Sequence, residues 1–477
     1  MVAMRWIIRF LGLINTAIVA RILAPEDFGL VALVMIVVSL VEMFAEIGVD
    51  LVLIRNPDAD RSHYDTAWTL RILTNSLLAL MIFLIAPFPV RYFDDQRITL
   101  LMRVLALKPL IGGFENIGVV AFRKDLQFSK DFIFNVLSRF ITVFISIGLA
   151  AALHSYWALA IAMISQQMVS TLLSYFIHPF RPRLSLGAFS EIGSISVWLL
   201  VRSLGYTLLD KVDQIVVGKM SGASALGGYF VAKSISNMLT MELLLPIGRA
   251  LLPGYTKLIH TPERLFQIFL KVVGIVGSVS IAFGFGLMVV AKDFVMIVLG
   301  SKWYENVPLL EIFAFSGAFY GISTVIGPFM VALGHVRIMA LFGWMQFIAL
   351  AITLWFVSKS GNIIQVAWAN AILAIVFTFI NLQIVCRSSG NHLKLVMSTL
   401  SRPLISGVLM VIVVKILHIN TIAYPPITLT LDAATAITVY ITTLLILWWI
   451  AGQPDSAERE LLERLRIYMG WRLPICK

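Results

Sequence analysis

Several long apolar segments of this chain carry ionisable side chains three or four residues apart, so that each set falls on one helix face. Arg5, Arg9, Gly12 and Thr16 form one stripe, and Ser39, Glu42, Glu46 and Asp50 another. Arg71 interrupts a third segment, Lys108 and Glu115 share the next, and Asn135, Arg139, Thr142 and Ser146 line the one after. Then come Trp198, Arg202, Tyr206, Asp210 and Asp213 with Lys211 among them, followed by Tyr229, Lys233, Ser236, Thr240 and Glu242. Guanidinium and ammonium groups withdrawn from water hold anions, which makes Arg9, Arg71, Lys108, Arg139, Arg202, Lys211 and Lys233 candidate anion contacts. Carboxylates in such surroundings exchange protons or cations, because desolvation raises their pKa and a neighbouring cation lowers it. Glu42, Glu46, Glu115, Asp210, Asp213 and Glu242 are therefore candidate ion-coupling groups. A charge at bilayer depth costs at least about 2.5 kcal/mol, so it persists where it is used or paired. For any one residue the structural alternative is an internal ion pair, such as Lys211 with Asp210 or Arg9 with Glu46. Arg5, Arg71, Arg103 and Lys271, near segment ends, can also snorkel.

Helices that cross a bilayer must position these groups. Apolar residues make up 59% of the 477 residues and charged residues 13%, against a soluble norm of about a quarter charged. Apolar stretches of about 20 residues recur from end to end, and each spans about 30 Å of hydrocarbon. The pattern predicts an all-α integral membrane protein with about fourteen transmembrane helices. Span 1 covers 3–22, span 2 28–48, span 4 99–119, span 5 131–153, span 7 190–216 and span 8 226–247. The residues 222–228 read as the turn between spans 7 and 8. No charged, loop-rich stretch reaches the roughly 50 residues of a soluble domain. Lys and Arg concentrate in alternate loops, which predicts both termini on the cytoplasmic side. The tail from Pro454 onward reads as an amphipathic cytoplasmic helix.

Two cysteines, Cys386 and Cys476, are too few for a disulfide framework, and the histidines stand in loops or at span ends, so neither metal nor cofactor is expected. Phosphate-binding loops, zinc-protease motifs and nucleophile elbows are missing from the sequence, which argues against an enzyme.

Two halves of the chain align without gaps. Residues 18–29 match 216–227 at an offset of 198 (227 − 29), and 101–113 match 309–321 at 208 (321 − 113). The shift is an even number of spans, so the repeats run in parallel and imply a pseudo-two-fold axis along the membrane normal. The expected organisation is an N-lobe at 1–180 and a C-lobe at 181–390, each of six helices, with two further helices at 391–452 and the tail at 453–477. Pro179, Phe180, Arg181, Pro182 and Arg183 form the candidate hinge between lobes.

The run Ala20-Arg21-Ile22-Leu23-Ala24-Pro25-Glu26-Asp27-Phe28-Gly29 resembles the signature of Wzx-type polysaccharide flippases, in the multidrug/oligosaccharidyl-lipid/polysaccharide exporter superfamily. Weaker matches follow in the expected order: 121–128, 213–218, 226–229 and 299–303. The branch with colanic-acid and teichuronic-acid exporters is the most similar. The resemblance implies export of polyprenyl-diphosphate-linked oligosaccharides across the bacterial cytoplasmic (inner) membrane by alternating access. Arg and Lys would neutralise the diphosphate, and Trp198 and Tyr206 would stack on sugar rings. Expected partners are that substrate, membrane lipids and other polysaccharide-assembly proteins, with no nucleic acid. Similar proteins carry residues before the first helix, so a mis-started or shortened N-terminus is expected. The alternatives are a drug or metabolite exporter of the same superfamily and a membrane polymerase or ligase.

Overall fold

The computed structural model describes residues 2–43, 52–54, 56, 58–189, 197–242, 244–418, 425–454 and 458–459. Regular structure among them is helical throughout. Hydrocarbon offers backbone groups no water, and a helix satisfies its N–H and C=O groups internally. Ten helices are long and apolar enough to cross a bilayer, or eleven if the bent pair Arg97–Gly113 and Ile117–Lys124 is one span. Outward-facing side chains such as Phe176, 84% exposed, and Trp449, 68% exposed, suit lipid rather than water. The chain is a multi-pass membrane protein.

Two compact units are each assembled from separated stretches. The first holds Met1–Val231, Val298–Lys302 and Phe342–Val366. Its helices are α1 (Val2–Ile22), α2 (Pro25–Glu42), α3 (Arg61–Ile85), α4 (Arg97–Leu105), α5 (Leu107–Gly113), α6 (Phe128–Leu153), α7 (Tyr156–Ile177) and most of α8 (Val197–Asn237). The second unit holds α9 (Leu245–Lys257), α10 (Pro262–Phe294), α11 (Val307–Tyr320) and α12 (Ser323–Ala332). It continues, after α13 (Val336–Val357), with α14 (Ile363–Ser388), α15 (Leu393–His418) and α16 (Pro425–Ile450). In its core, Phe269 and Phe329 lie 4.4 Å apart and Tyr255 meets Phe329 edge-on at 5.4 Å. Gly284 lets α10 press on α11, since a Cβ there would lie 2.6 Å from the Ala318 Cβ.

Local sequence sets the helix limits. Proline opens α2, α10 and α11, where a missing N–H costs nothing. Asp60 caps α3 by accepting from the His63 N–H at 3.2 Å. α8 breaks at Gly222, whose φ of 75° and ψ of −172° belong to glycine. This break falls inside the expected 222–228 turn.

A 70° bend separates Arg97–Gly113 from Ile117–Lys124. Pro109, Gly112 and Gly113 weaken the helix there. Side chains of α7 reseal the exposed backbone: Thr171 donates to the Ile111 carbonyl at 3.2 Å and Tyr175 to the Phe114 carbonyl at 2.9 Å. Ser174 Oγ accepts from the Asn116 N–H at 2.9 Å, and Asn116 Oδ1 caps the next turn at Gly118 N–H, also 2.9 Å.

The Pro-rich connector after α7 is strapped along α3. Arg183 N–H donates to Asp65 Oδ1 at 2.8 Å, Ser185 N–H to Thr69 Oγ1 at 2.9 Å and Ala188 N–H to Thr66 Oγ1 at 3.1 Å. All three acceptors are buried. At the connector's start, His178 Nδ1 accepts from the Phe180 N–H at 3.1 Å. Burial first, then the Lys130 and Arg181 charges, lower the His178 pKa from 6.5, while Asp125 acts in the opposite sense. This bond needs the neutral ring, because protonated histidine offers no acceptor. A folded pKa below the unfolded one gives a contribution that is complete above pH 6.5 and is lost as pH falls toward the lowered folded value. Hydrogen exchange at the Phe180 amide, corrected for its intrinsic pH dependence, should accelerate on acidification through that window. In His178→Asn, whose amide oxygen accepts at any of these pH values, the acceleration should vanish.

Candidate functional site

An open cavity of about 340 Å³ lies between the bend and α7 within the first unit. Arg71 and Asn75 of α3, Glu42 of α2, Lys108 and Gly112 of α5, Glu115 at the bend and Gln167 of α7 line it. The sequence placed Glu42, Arg71, and the pair Lys108 and Glu115 on three separate segments, and the fold brings them to one space. Lys108 Nζ lies 2.9 Å from Glu42 Oε1, and their side chains are 26% and 31% exposed. Glu115 accepts from Gln167 Nε2 and Ser170 Oγ, both at 3.3 Å. Asn75 Nδ2 donates to the Arg71 carbonyl at 2.9 Å, a bond that fixes its amide on the cavity wall. Gly112 makes room for Gln167, because a Cβ there would lie 3.2 Å from the Gln167 amide nitrogen. Two cations, two carboxylates and two amides thus surround one volume. Such a space can bind a group rich in hydroxyls, and an arriving anion can compete with Glu42 for Lys108.

A second cluster forms where α1 packs on α6. Arg139 of α6 is half-buried and donates from Nη1 to Gln166 Oε1 at 3.2 Å. Its Nε is buried with no hydrogen-bond partner, and no carboxylate pairs with it among the described residues. Gly12 of α1 leaves the space, since a Cβ there would lie 3.0 Å from Arg139 Nη2. Arg9, one turn earlier on α1, is near enough for its charge to act on Arg139. An anion arriving between the two guanidinium groups would be held by both.

The remaining predicted residues are placed differently. Asp213 on α8 is fully buried and accepts from the Tyr229 hydroxyl and the Gln214 N–H, each at 2.8 Å. Lys211 pairs with Asp210 at 2.8 Å, the internal pairing weighed from the sequence. Tyr206 is 42% exposed. Lys233 follows the boundary at Val231 and belongs to the second unit. Glu46, and the side chains of Trp198, Arg202 and Glu242, lie outside the described residues. Among the described residues, no group of three or more His, Cys, Asp or Glu side chains could hold a metal ion. The sequence reading missed Asn75, Gln166, Gln167 and Ser170. For Gln167 and Ser170 the signal was a neutral stripe on α7, Gln167, Ser170, Thr171 and Ser174, at the same helical spacing as the charged ones.

A family described as "Polysaccharide biosynthesis protein" matches residues 18–308. The chain is 24% identical over 338 residues to the lipopolysaccharide biosynthesis protein WzxC of Escherichia coli, covering 69% of this chain and 68% of that protein. It is 24% identical over 467 residues to the succinoglycan biosynthesis transport protein ExoT of Rhizobium meliloti, covering 95% and 91%. The teichuronic acid biosynthesis protein TuaB of Bacillus subtilis is 25% identical over 347 residues, with 70% and 71% covered. Among solved structures, the lipid II flippase MurJ in an inward closed conformation superposes with a TM-score of 0.74, at 12% identity over 94% of this chain and 98% of that one. An inward-facing multidrug resistance MATE family transporter gives 0.58, at 14% identity over 82% and 99%. At these identities the structural likeness concerns the fold alone.

Proposed function

Because the chain belongs to the polysaccharide biosynthesis protein family, we propose that it moves lipid-linked oligosaccharide units across the bacterial cytoplasmic membrane by alternating access. Arg139 carries the reading: a half-buried guanidinium beside Arg9, with an unpartnered buried N–H and no carboxylate partner among the described residues. Such a group suits an anion with several oxygens, and a diphosphate is what joins an oligosaccharide to its polyprenyl tail. The cavity at Glu42, Arg71, Lys108 and Glu115 supplies donors and acceptors for sugar hydroxyls. The headgroup cannot cross about 30 Å of hydrocarbon unaided, so the protein provides a polar path while the tail stays in lipid. The relatives in lipopolysaccharide, succinoglycan and teichuronic acid biosynthesis support this class of cargo.

Fourteen spans follow if the bent pair, the charged helices α1 and α2, and the part of α8 after Gly222 each cross the membrane beside the ten apolar helices. An even number puts both termini on one side, and the Lys/Arg bias makes that side cytoplasmic. The parallel repeats then form two six-helix lobes, 1–180 and 181–390. The chain acts as a carrier rather than an enzyme.

Reconstitution of the purified protein in liposomes with a labelled polyprenyl-diphosphate oligosaccharide tests the reading. Protein-dependent exposure of the label to an impermeant glycosidase is the expected result. Exposure no faster than in protein-free liposomes overturns it. Efflux of cationic drugs that depends on Glu42 or Glu115 would place the chain among drug exporters instead. Label recovered in longer glycan would identify a polymerase.

A further inference from the structure

The sequence repeat meets itself in the structure. Gly29 of α2 and Gly227 of α8 are equivalent at the offset of 198, as are Pro25 with Ala223 (223 − 25) and Arg21 with Lys219 (219 − 21). All six lie in the first unit, which also holds residues 90–94 and 298–302. A Cβ on Gly29 would run into the Ala223 carbonyl and lie 2.8 Å from Gly227 N. A Cβ on Gly227 would run into the Pro25 carbonyl and lie 2.9 Å from Gly29 N. Each glycine touches the equivalent of the residue its counterpart touches. That exchange marks a two-fold axis, which passes between Gly29 and Gly227.

The flanking cations reach corresponding segments, though not equivalent partners. Lys219 Nζ lies 2.9 Å from Asp94 Oδ2 and sits over the Tyr92 ring at 5.5 Å. Arg21 Nε donates to the Val298 carbonyl at 3.2 Å, and Lys302 Nζ donates to the Ile22 carbonyl at 3.3 Å. Residues 94 and 302 correspond at the second offset of 208 (302 − 94). The basic residue closing the first span of each repeat therefore reaches the segment after the third span of the other repeat.

We propose that this self-complementary seam is a latch between the two repeats, closed in this structure and parted in the other transport state, with Gly29 and Gly227 as its positioning residues. Backbone lies on backbone at the glycines, so closure is specific in shape and tolerates no side chain. The charged contacts beside it are exposed, where water competes for the charges and keeps each contact weak. They hold the seam shut yet release readily, because on opening the charges return to water. The inference rests on the reading of the chain as a two-repeat transporter, but not on the identity of its cargo.

Spin labels at Arg91→Cys and Ser224→Cys, two exposed positions, report the distance across this end of the first unit in liposomes. The labelled chain also carries Cys386→Ala and Cys476→Ser. A latch gives a short and a long population. Gly29→Ala and Gly227→Ala should both shift the distribution toward the long one, alike by symmetry, and Lys219→Gln should shift it less. Gly148→Ala is the control, since a Cβ there meets nothing within 4 Å. A single short distance in the parent and in every variant overturns the proposal. Should a glycine variant not accumulate, the exposed Lys219→Gln carries the test, and an unchanged distribution there overturns it equally. The readout is a distance, so a parent that moves no lipid-linked oligosaccharide defeats the cargo reading and leaves the latch standing.

Discussion

Arg139→Ala lowers export roughly 10- to 100-fold, the ~1.5–3 kcal/mol of a hydrogen bond to a charged group, and leaves the amount of folded protein unchanged. The second half of this expectation makes the first informative. A residue that holds a fold together leaves it weaker when removed. Arg139 has one hydrogen bond, to the neutral Gln166, and one buried N–H with no partner. It also feels the like charge of Arg9. Truncating it removes a desolvated, poorly compensated cation, so the empty protein loses little and can gain stability. Only a bound anion makes the site favourable. Arg139→Lys should recover part of the activity, because an ammonium supplies the charge without the planar fork that grips two phosphate oxygens. Gln166→Leu should cost far less than Arg139→Ala, since it deletes an orienting bond and keeps the cation. The measurement is transport of labelled polyprenyl-diphosphate oligosaccharide in proteoliposomes, normalised to folded protein by size-exclusion recovery. Full transport by Arg139→Ala, or aggregation of that variant, would refute the anion role.

The membrane class and the helices were legible because length and apolarity alone decide them. The site was legible residue by residue but not as a site. Periodicity puts Glu42, Arg71, Lys108 and Glu115 each on a helix face, but it does not say which helices are neighbours. That depends on the bend after Gly113, which a window over 99–119 reads as one straight span. The cue was present in Pro109, Gly112 and Gly113, and also in the hydroxyls of α7 that receive the broken backbone. Gln167 and Ser170 escaped notice for a related reason: an amide or hydroxyl is cheap enough in a helix interior to pass unremarked, whereas a charge is not. The connector at 179–183 looked like a hinge because proline and arginine mark a loop. Its bonds to Asp65, Thr66 and Thr69 come from α3, more than a hundred residues earlier (183 − 65), and no local pattern reports them. The repeat offsets predict that Gly29 and Gly227 are equivalent. Only packing could show that they touch.

Glu42→Gln and Lys108→Met should both slow transport but should move substrate affinity in opposite directions. Glu42 and Lys108 are 2.9 Å apart and only partly exposed, so each satisfies the other while the cavity is empty. An anionic headgroup that reaches Lys108 must displace Glu42. The released carboxylate then faces the cavity without its cation. Re-pairing of Glu42 with Lys108 would then drive release of the headgroup. Glu42→Gln removes the competitor, so Lys108 is held less tightly and the substrate binds better, with a lower KM. The same change removes the group that expels the substrate, so kcat falls by roughly tenfold or more, within the ~1–3 kcal/mol typical of coupling between sites. Lys108→Met deletes the anion contact and leaves Glu42 without its cation, so KM rises. The pH dependence should change with the variants as well. Wild-type transport should respond to an imposed pH gradient, and Glu42→Gln should lose that response while retaining binding. A purely structural pair predicts something else: both single variants unstable, KM and kcat unchanged per folded molecule, and the double variant Glu42→Gln/Lys108→Met restored to wild-type behaviour. Transport kinetics in proteoliposomes at two external pH values separate these outcomes, because the coupling model requires the double variant to bind weakly and to ignore the gradient.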